Sequence, residues 1–399
     1  MISSSCMPPF SFKLQATLGK ARAGQITTPH GVINTPIFMP VGTVASVKSL
    51  DSNDLVGAGA DIILANTYHL GIREKTLKAL KVSGGIHDFM NWQRPILTDS
   101  GGFQAFSLGN KFPHNSRNFL AGITEDGVSF RSHLDGSEHF FSPEYSMELQ
   151  RVIGADIIMA FDDLMPDATN LPDGKTSLEL THAWAERCKI DWEKNSRQSL
   201  YGKYQALFGI VQGALHPELR QQSAEFMGKL GVDGVAVGGE TIGYNTEGTK
   251  DVMSWIENIL PREKPRYAMG MGRDLSDVAV AAGLGFDMFD CVGPTRLARN
   301  GSLLVGNLVC EGESFRMESE HPRGRLSIGR QEFSSDMRVL EENCDCATCR
   351  AGYARAYLHH LYKAKELSYF RLATIHNVRA MLRVSSEIRE HILENGVGE

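Results

Sequence analysis

The sequence has no long hydrophobic run, no secretory signal and no excess of positive charge. Its apolar stretches fall short of the ~18 residues that a membrane-spanning helix needs, and the opening MISSSCMPPFSF lacks the basic region and apolar core of a signal peptide. These absences favour a cytoplasmic protein without membrane association. The net charge of −6 argues against diffuse nucleic-acid binding, although a local basic patch remains possible.

The sequence also lacks low-complexity segments and any proline- or serine-rich linker. Its 399 residues suffice for two or three ordinary domains, or for one large barrel with an appendage. The seven cysteines are odd in number and three of them lie in CDCATC, which favours free thiols and a metal site over a disulfide framework. A hydrophobic fraction of 42% is typical of a globular protein.

Eight short apolar runs recur along the chain, and helix-period stretches lie between several of them. The runs are TPIFMPVG (35–42), DIILAN (61–66), PILTD (95–99), ADIIMAF (155–161), ALFGIVQ (206–212), GVAVGG (234–239), RYAMGMG (266–272) and GFDMFD (285–290). Continuous apolar strands that alternate with helices indicate parallel strands buried on both faces. Eight of them predict an α/β fold of the (β/α)₈ barrel type, with an open doubly wound sheet as the alternative. Residues 126–141 predict a hairpin, and residues 302–375 are too long for a simple loop.

Polar residues and glycines stand at the C-terminal ends of six of these runs. They are Asp99, Asp162 with Asp163, Gln212, Gly238 with Gly239, Gly270 with Gly272, and Asp290. In a barrel all these positions meet at one face, where the active sites of this fold lie. Any one of them could be an ordinary helix cap or turn residue. Their joint placement predicts a functional site.

The last run carries two carboxylates, Asp287 and Asp290, which three residues of separation place on opposite faces of a strand. Asp290 is the last residue before the following turn, so it is the candidate for chemistry. Asp287 lies deeper in the run and is predicted to be a structural carboxylate paired to a helix.

The cysteine cluster in CDCATC predicts a structural zinc site. Cys344, Cys346 and Cys349 supply three thiolates within six residues, a span that suits a tetrahedral ion. The fourth ligand could be His359, His360 or His376, with Cys310 a weaker candidate. A closed site of this kind would hold residues 302–375, called the late segment below, as a rigid subdomain. Arginines scattered through the segment could form a patch or an ordinary solvated surface, and composition leaves both open. They are Arg316, Arg323, Arg325, Arg330 and Arg338.

Taken together, the motifs resemble those of tRNA-guanine transglycosylases over nearly the whole chain and in the same order. The matching motifs are TDSGGFQ (98–104), MAFDD (159–163), GIVQG (209–213), AVGG (236–239), MGMG (269–272), FDCVGPTRLARNG (289–301), CDCATC (344–349) and YLHHL with IHN (357–361, 375–377). The resemblance implies a TIM barrel over 1–301 with an N-terminal β extension and a hairpin insertion. It further implies a zinc-binding subdomain over 302–376, a C-terminal helix over 377–399 that packs on the barrel, and a homodimer.

The resemblance also implies the reaction. Such pentosyltransferases exchange guanine at the wobble position of GUN-anticodon tRNAs (those for aspartate, asparagine, histidine and tyrosine) for a 7-deazaguanine base, in queuosine biosynthesis. Exchange at one anomeric carbon favours a double displacement through a covalent enzyme–RNA intermediate, which needs no cofactor for the chemistry. The partners would be the tRNA anticodon stem-loop and the base. We expect 7-aminomethyl-7-deazaguanine as the base, with queuine as the alternative.

Roles follow from the motif match. Asp290 would be the nucleophile and Asp99 the general acid and base. Residues implied to bind the base are Asp99, Ser100, Gly101, Gly102, Phe103, Asp162, Gln212, Gly239 and Met269. Residues implied to contact RNA are Met271, Gly272, Arg273, Asp274, Leu275, Ser276, Asp277, Thr295, Arg296, Leu297, Ala298 and Arg299. The implied zinc ligands are Cys344, Cys346, Cys349 and His376.

The sequence departs from common bacterial members around the base pocket. Leu164 stands where many have cysteine, Phe103 replaces a frequent tyrosine, and Glu240 follows Gly239 where leucine is usual. Glu240 could pair with an aminomethyl cation, accept hydrogen bonds from the diol of queuine, or simply face solvent.

Three other functions compete with this interpretation. A non-catalytic partner subunit of such an enzyme is disfavoured because Asp99, Asp162 and Asp290 are all retained. A zinc-dependent barrel hydrolase of nucleobases is disfavoured because no histidine–carboxylate cluster lies at the strand ends. A plain RNA-binding module would not need three aligned carboxylates, and the extra C-terminal domains usual in the archaeal branch are not expected here.

Overall fold

The centre of the protein is a closed parallel barrel. The computed structural model describes residues 9–102, 120–132 and 134–399. Each of the eight apolar runs supplies a barrel strand. In chain order these strands are Ile37–Met39 continued by Val41–Gly42, Ile63–Ala65, Ile96–Thr98, Ile157–Met159, Ala206–Val211, Gly234–Val237, Arg266–Ala268 and Met288–Asp290.

The ring closes through the first strand, which is interrupted at Pro40. Its first part, Ile37–Met39, pairs in parallel with the eighth strand, and its second part, Val41–Gly42, pairs with the second strand. Proline has no N–H to offer a neighbouring strand, which accounts for the interruption at that position. The prediction of a (β/α)₈ barrel is confirmed, and the alternative of an open doubly wound sheet is wrong.

Most helices surround the barrel and bury one side against it, and two short ones, Ala347–Arg350 and Arg355–Ala364, lie in the late segment against the C-terminal helix. The helices span Ser52–Gly57, Thr67–Gly71, Glu74–Ser83, Ile86–Met90, Pro143–Ile153, Leu171–Lys194, Pro217–Lys229, Thr246–Ile256, Leu275–Gly283, Gly293–Arg299, Ala347–Arg350, Arg355–Ala364 and Leu367–Asn395, with short 3₁₀ turns at Pro322–Gly324 and Gln331–Phe333. The barrel strands are almost wholly buried, because side chains point alternately to the interior and to these helices. Among the described helices, none is both long enough and apolar enough to cross a bilayer.

Four smaller antiparallel sheets lie outside the barrel in the part of the chain that the structure describes. The strands Ser11–Leu18, Ala21–Thr28 and Gly31–Thr35 form an N-terminal sheet, whose edge is extended by Val397–Gly398. The hairpin predicted over residues 126–141 is confirmed as Gly127–Arg131 paired with Glu138–Phe141, and Leu120–Thr124 adds a third strand. Two smaller sheets lie in the late segment. They pair Ser302–Leu304 with Arg325–Ser327 and Asn307–Glu311 with Ser314–Glu318.

The helix Leu367–Asn395 ties the late segment to the barrel. The Asn377 side chain accepts a hydrogen bond from the backbone N–H of Leu304 (2.9 Å) and donates to the carbonyls of Pro294 (3.0 Å) and Ser302 (3.1 Å). The helix runs without a break across residues 376 and 377, where the predicted subdomain ends and the predicted C-terminal helix begins. The division of the chain into 1–301, 302–376 and 377–399 stays a prediction.

Asp287 is a buried structural carboxylate, but its partner is not a helix. Its Oδ2 accepts a hydrogen bond from the backbone N–H of Arg266 at 2.7 Å, and its Oδ1 lies 3.3 Å from Nε of Arg22 in the N-terminal sheet. The side chains of Arg22 and Asp287 are 3% and 0% exposed. Burial raises the pKa of Asp287, and the charge of Arg22 opposes that rise. This ion pair therefore holds the N-terminal sheet against the barrel floor.

We expect Asp287→Ala to lower the free energy of unfolding by about 3–5 kcal/mol, because it leaves the Arg22 guanidinium buried without its carboxylate. Urea titration followed by circular dichroism would measure this loss. The matched control is Asp251→Ala, which removes an exposed carboxylate from the helix Thr246–Ile256 and should cost far less. Equal losses in the two variants would contradict the structural role.

Candidate active site

Asp290 stands at the C-terminal end of the eighth strand with one of its oxygens fixed. Oδ1 accepts hydrogen bonds from the Tyr267 hydroxyl at 2.6 Å and from the backbone N–H of Gly270 at 2.8 Å. The residue is 9% exposed. Burial raises the pKa of Asp290, while the bonds from Tyr267 and Gly270 lower it. Among the described residues no hydrogen bond falls on Oδ2, so the second oxygen is available to a ligand.

Tyr267, in the seventh strand, is the side chain that donates to Asp290. Burial raises the pKa of its hydroxyl well above the ordinary value, and the charges of Asp290 and Asp99 raise it further. The hydroxyl therefore stays protonated and donates to Asp290. The contribution of Asp99 is consistent with the ends of the third and eighth strands lying at the same face of the barrel.

Asp99 is oriented by the end of the second strand. Its Oδ1 accepts from the backbone N–H of Thr67 at 2.7 Å and its Oδ2 accepts from the Asn66 side-chain amide. The Thr67 hydroxyl donates to the Asp99 carbonyl. Asn66 was not among the candidate residues, although a signal for it exists: it closes the run DIILAN just as Asp99 closes PILTD.

Asp162 and Asp163 are adjacent but face different surroundings. Asp162 Oδ2 accepts from Gln212 Nε2 at 2.7 Å, and its Oδ1 accepts a longer bond from the Ser100 hydroxyl at 3.4 Å. Burial, reinforced by the charge of Asp163, raises the pKa of Asp162 to about 6. Asp163 Oδ2 instead accepts from Ser177 on the helix Leu171–Lys194. Asp162 thus bonds to two other candidate site residues, Gln212 and Ser100, whereas Asp163 bonds to a helix.

The loop after the third strand passes close to Asp162. A Cβ at Gly102 would lie 3.2 Å from the Asp162 carbonyl oxygen, and Gly101 has a φ of +81°, which favours glycine. Ser100, the residue before these glycines, is buried, and its hydroxyl oxygen accepts from the backbone N–H of Gly102 at 3.2 Å. Phe103, the predicted ring partner of the base, lies outside the described residues.

Gln212, Met269 and the pair Gly238–Gly239 lie together at the ends of the fifth, seventh and sixth strands, and they form one wall of the candidate site. A Cβ at Gly238 would lie 2.9 Å from Gln212 Nε2 and 3.4 Å from Met269 Sδ. The next residue, Gly239, has a φ of +128° and would place a Cβ 2.5 Å from Nη2 of Arg220. A side chain at Gly239 would therefore disrupt the wall.

Arg220 is a buried cation beneath this wall that sequence reasoning missed. Its guanidinium donates to the carbonyls of Val211 (3.0 Å), Gly238 (2.7 Å) and Ala214 (2.9 Å), which joins the ends of the fifth and sixth strands. Burial lowers its pKa to about 10, so it remains charged at neutral pH. The available signal was a charged residue within the otherwise apolar face of the helix Pro217–Lys229.

The predicted RNA-contacting residues are mostly buried. Met271, Gly272, Asp274, Leu275, Asp277, Thr295 and Ala298 are buried; Arg273, Ser276 and Arg296 are exposed; Leu297 and Arg299 are intermediate. Asp274 pairs with Arg325 of the late segment at 2.6 Å. Burial raises the pKa of Asp277 to about 6, and it accepts from the backbone N–H of Arg273 at 2.9 Å. Of the predicted RNA-contacting residues, only Arg273, Ser276 and Arg296 have exposed side chains that RNA could readily reach.

Most arginines of the late segment are neutralised locally. Ion pairs join Arg316 to Glu311 and Glu318, Arg325 to Asp274, Arg330 to Glu332, and Arg338 to Asp336. This favours an ordinary solvated surface over a continuous basic patch.

Four donor atoms gather around one point in the late segment. Nδ1 of His376 lies 3.6 Å from each of the sulfurs of Cys344, Cys346 and Cys349. Zinc bonds of ~2.3 Å to sulfur and ~2.0 Å to nitrogen in a tetrahedron would separate these atoms by about 3.5 Å. His376 Nε2 bonds to the Leu304 carbonyl at 2.8 Å, which leaves Nδ1 as the ligand atom.

The other candidate ligands are occupied elsewhere or lie apart. His359 Nδ1 bonds to the Ile328 carbonyl at 2.7 Å, His360 is exposed, and Cys310 lies in the strand Asn307–Glu311. The donor set of three thiolates and one imidazole therefore fits a structural zinc ion, which would hold the strands of residues 302–327 to the C-terminal helix.

Comparison with known proteins gives a consistent result. The family model described as "Queuine tRNA-ribosyltransferase" matches residues 17–399. Proteins named queuine tRNA-ribosyltransferase are similar along most of the chain. One, from Herpetosiphon aurantiacus, is 43% identical, and the match covers 98% of this chain and 90% of the relative. The corresponding values are 44%, 94% and 91% for the protein from Caldanaerobacter subterraneus subsp. tengcongensis, and 45%, 97% and 96% for that from Koribacter versatilis.

Proposed function

Because the chain belongs to the queuine tRNA-ribosyltransferase family, pentosyltransferases that act on tRNA guanosine, we propose that it exchanges guanine at the wobble position of GUN-anticodon tRNAs for a 7-deazaguanine base. The substrate tRNAs would be those for aspartate, asparagine, histidine and tyrosine, and the base 7-aminomethyl-7-deazaguanine. The proposal includes a homodimer that works in the cytoplasm, where its tRNA is found.

In the first displacement, Oδ2 of Asp290 attacks C1′ of the ribose. The C1′–N9 bond to guanine breaks as the Asp290–C1′ ester bond forms, and Asp99 gives a proton to the departing guanine. The position of Asp290 supports this role, because Tyr267 and Gly270 hold its other oxygen and leave Oδ2 unbonded.

In the second displacement, the incoming base attacks the same carbon. Asp99 takes the proton from its ring nitrogen, the new glycosidic bond forms, and the ester to Asp290 breaks. Both bonds are made at one anomeric carbon, as in retaining glycosidases, so the configuration is restored. The bonds from Asn66 and Thr67 support this role, because they hold both carboxylate oxygens of Asp99 in position.

Asp162 and Gln212 would recognise the Watson–Crick edge of guanine. The carboxylate accepts from the ring N–H and the exocyclic amine, and the amide of Gln212 donates to O6. In the free protein Gln212 Nε2 donates to Asp162, and its Oε1 is buried without a partner among the described residues. The Nε2 amide has a second N–H besides the one that meets Asp162, and that N–H would donate to O6. Met269 and Phe103 would sandwich the ring.

The target base must leave its stack to enter this pocket, so the enzyme would grip the loop through phosphate and shape contacts. Arg296 and Arg299, on the short helix directly after Asp290, would hold the phosphates flanking the attacked ribose. Arg299 Nη1 is buried without a hydrogen-bond partner among the described residues, which suits an incoming anion. Exposed Arg273 and Ser276 would extend the contact.

The observation that carries the proposal is Asp290, held by one oxygen at the barrel face where the strands that precede Asp99 and Asp162 also end. Labelled guanine, incubated with the enzyme and an unmodified tyrosine tRNA, should enter the RNA without ATP. A tRNA with adenine at the wobble position is the negative control. If the protein alone leaves the tRNA unlabelled, the alternative of a non-catalytic partner subunit gains support and the proposal fails.

We expect the KM for guanine to rise as the pH falls below about 6, by roughly tenfold per pH unit. Asp162, whose pKa is raised to about 6, must be ionised to accept both N–H groups, and protonation removes that acceptor. Guanine exchange measured from pH 5 to 7.5 at saturating tRNA would show the rise. Asp162→Asn is the control, because it cannot titrate: its KM should be high and flat. A wild-type KM that does not change with pH would contradict the assignment.

A further inference from the structure

The helix Pro143–Ile153 carries two polar side chains on its buried face. Ser146 and Gln150 are four residues apart, so they lie one turn apart on the same side of the helix, and both are 0% exposed. The other buried residues of this helix are apolar, namely Pro143, Met147, Leu149, Val152 and Ile153. A buried hydroxyl or amide is costly unless it is hydrogen-bonded. The partners of Ser146 and Gln150 therefore indicate what these two residues do.

Gln150 bonds to the ends of two neighbouring barrel strands. Its Oε1 accepts from the backbone N–H of Met159 at 2.9 Å, and its Nε2 donates to the carbonyl of the same residue at 2.9 Å. Oε1 also accepts from the Thr98 hydroxyl at 3.1 Å. Met159 ends the fourth strand and Thr98 ends the third, and these strands pair with each other at Leu97 and Ile157. The amide therefore continues the connection between the two strands up to the candidate site.

Ser146 binds the backbone on the other side of Asp99. Its hydroxyl donates to the Ser100 carbonyl at 2.6 Å and accepts from Gln150 Nε2 at 3.3 Å. Thr98 and Ser100 are the two chain neighbours of Asp99. One turn of the helix Pro143–Ile153 therefore holds the chain both before and after this residue.

The bonds from this helix complement those made by the carboxylate of Asp99. Asn66 and Thr67 hold its two carboxylate oxygens, whereas Ser146 and Gln150 hold the residues on either side of it. A general acid transfers a proton at hydrogen-bond distance, and a misplacement of about 1 Å can cost roughly 100-fold in rate. The position of this backbone therefore bears directly on the proton transfers proposed for Asp99.

We propose that Ser146 and Gln150 are positioning residues for Asp99. They hold the chain at Thr98 and Ser100, so that the Asp99 carboxylate meets the purine in the geometry for proton transfer. Neither residue would touch the substrate. This inference rests on the proposed function, and it gives a catalytic consequence to a helix that carries none of the predicted site residues.

Two variants loosen the chain on the two sides of Asp99. Thr98→Val removes the hydroxyl that binds Gln150 but keeps the shape of the side chain. Gln150 Oε1 still accepts from the backbone N–H of Met159, so no buried acceptor loses its last donor and the variant should fold. Ser146→Ala removes the donor to the backbone carbonyl that follows Asp99.

Kinetics of labelled-guanine exchange at saturating guanine would measure the effect. In Thr98→Val and in Ser146→Ala, kcat should fall about tenfold, because Asp99 is displaced from the purine. The KM for tRNA should stay within about twofold of wild type, because neither variant changes a residue proposed to contact RNA. Loss of stability alone would not produce this separation of kcat from KM at a temperature where every variant is folded.

Ser385→Ala is the matched control. Ser385 is a buried serine of the helix Leu367–Asn395, and its hydroxyl donates to the Met381 carbonyl in the same helix at 3.0 Å. Its removal costs a comparable hydrogen bond away from the site, so kcat should equal that of wild type. Thermal unfolding of each variant establishes that it is folded in the assay, and if Ser146→Ala is not, Thr98→Val decides.

The inference would be overturned by a kcat within about twofold of wild type in the folded variants, or by an equal loss in Ser385→Ala. Exchange by the wild type reports the proposed function separately. If labelled guanine enters the tRNA and Thr98→Val is as fast as wild type, only the positioning role is refuted. If wild-type protein transfers no guanine, the proposed function fails and this inference fails with it.

Discussion

Asp290→Asn is expected to abolish base exchange, with a loss of at least about 10³-fold in kcat. An amide oxygen is a poor nucleophile toward C1′, so the covalent enzyme–RNA intermediate cannot form. The substitution is nearly isosteric, and its oxygen can still accept from Tyr267 and Gly270. The fold and the affinity for tRNA should therefore persist. Labelled-guanine uptake gives the rate, and a denaturing gel of enzyme incubated with an anticodon stem-loop detects the adduct.

Two controls separate the loss of a nucleophile from general damage. Tyr267→Phe removes one hydrogen bond to Asp290 but leaves the carboxylate, so it should slow exchange far less and still give the adduct. Thermal unfolding of Asp290→Asn should match that of wild type. An adduct that survives in Asp290→Asn, or exchange at the wild-type rate, would show that another side chain attacks the ribose.

Much of the barrel was predictable because its strands are buried on both faces. Such strands appear in sequence as continuous apolar runs, and polar residues at their ends stand out against them. Asp99, Asp162, Gln212 and Asp290 were all visible in this way, and the structure places them at the ends of strands of one barrel. Whether they act as proposed is a matter for the experiments above.

What sequence alone did not reveal depends on long-range pairing. Arg22 and Asp287 are 265 residues apart, and nothing local marks them as partners. Tyr267 lies within an apolar strand, where an aromatic ring is expected as core and its hydroxyl carries no signal of its own. Arg220 sits in an ordinary amphipathic helix. Each of these groups acts by binding a carboxylate or a backbone carbonyl that only the folded chain brings next to it.

The zinc ligands were partly predictable from sequence and partly dependent on long-range contacts. Cys344, Cys346 and Cys349 are neighbours in sequence, so their spacing predicts a metal site, whereas three histidines could have completed it. The choice of His376 follows in structure from the helix Leu367–Asn395, which turns Nδ1 of this residue toward the thiolates and Nε2 toward the Leu304 carbonyl. The next residue, Asn377, bonds to Leu304, Ser302 and Pro294. The metal site is therefore connected to the short helix that follows Asp290.

We expect Cys346→Ser to lose the zinc ion and to unfold the segment around it. Structural zinc contributes an apparent binding free energy of about 10–16 kcal/mol, much of which appears as folding energy. Wild-type protein should contain one zinc ion per chain by atomic absorption, and the variant close to none. Hydrogen–deuterium exchange should rise strongly in residues 302–376 and much less in the barrel strands.

Cys310→Ser is the matched control, since Cys310 is a thiol of the same segment outside the donor cluster; its zinc content and exchange rates should be those of wild type. Because Asn377 bonds to the Pro294 carbonyl in the first turn of the helix Gly293–Arg299, zinc loss should raise the KM for tRNA more than the KM for guanine. Full zinc occupancy in Cys346→Ser, or unchanged protection of residues 302–376 after its loss, would show that the cluster does not hold this part of the molecule together.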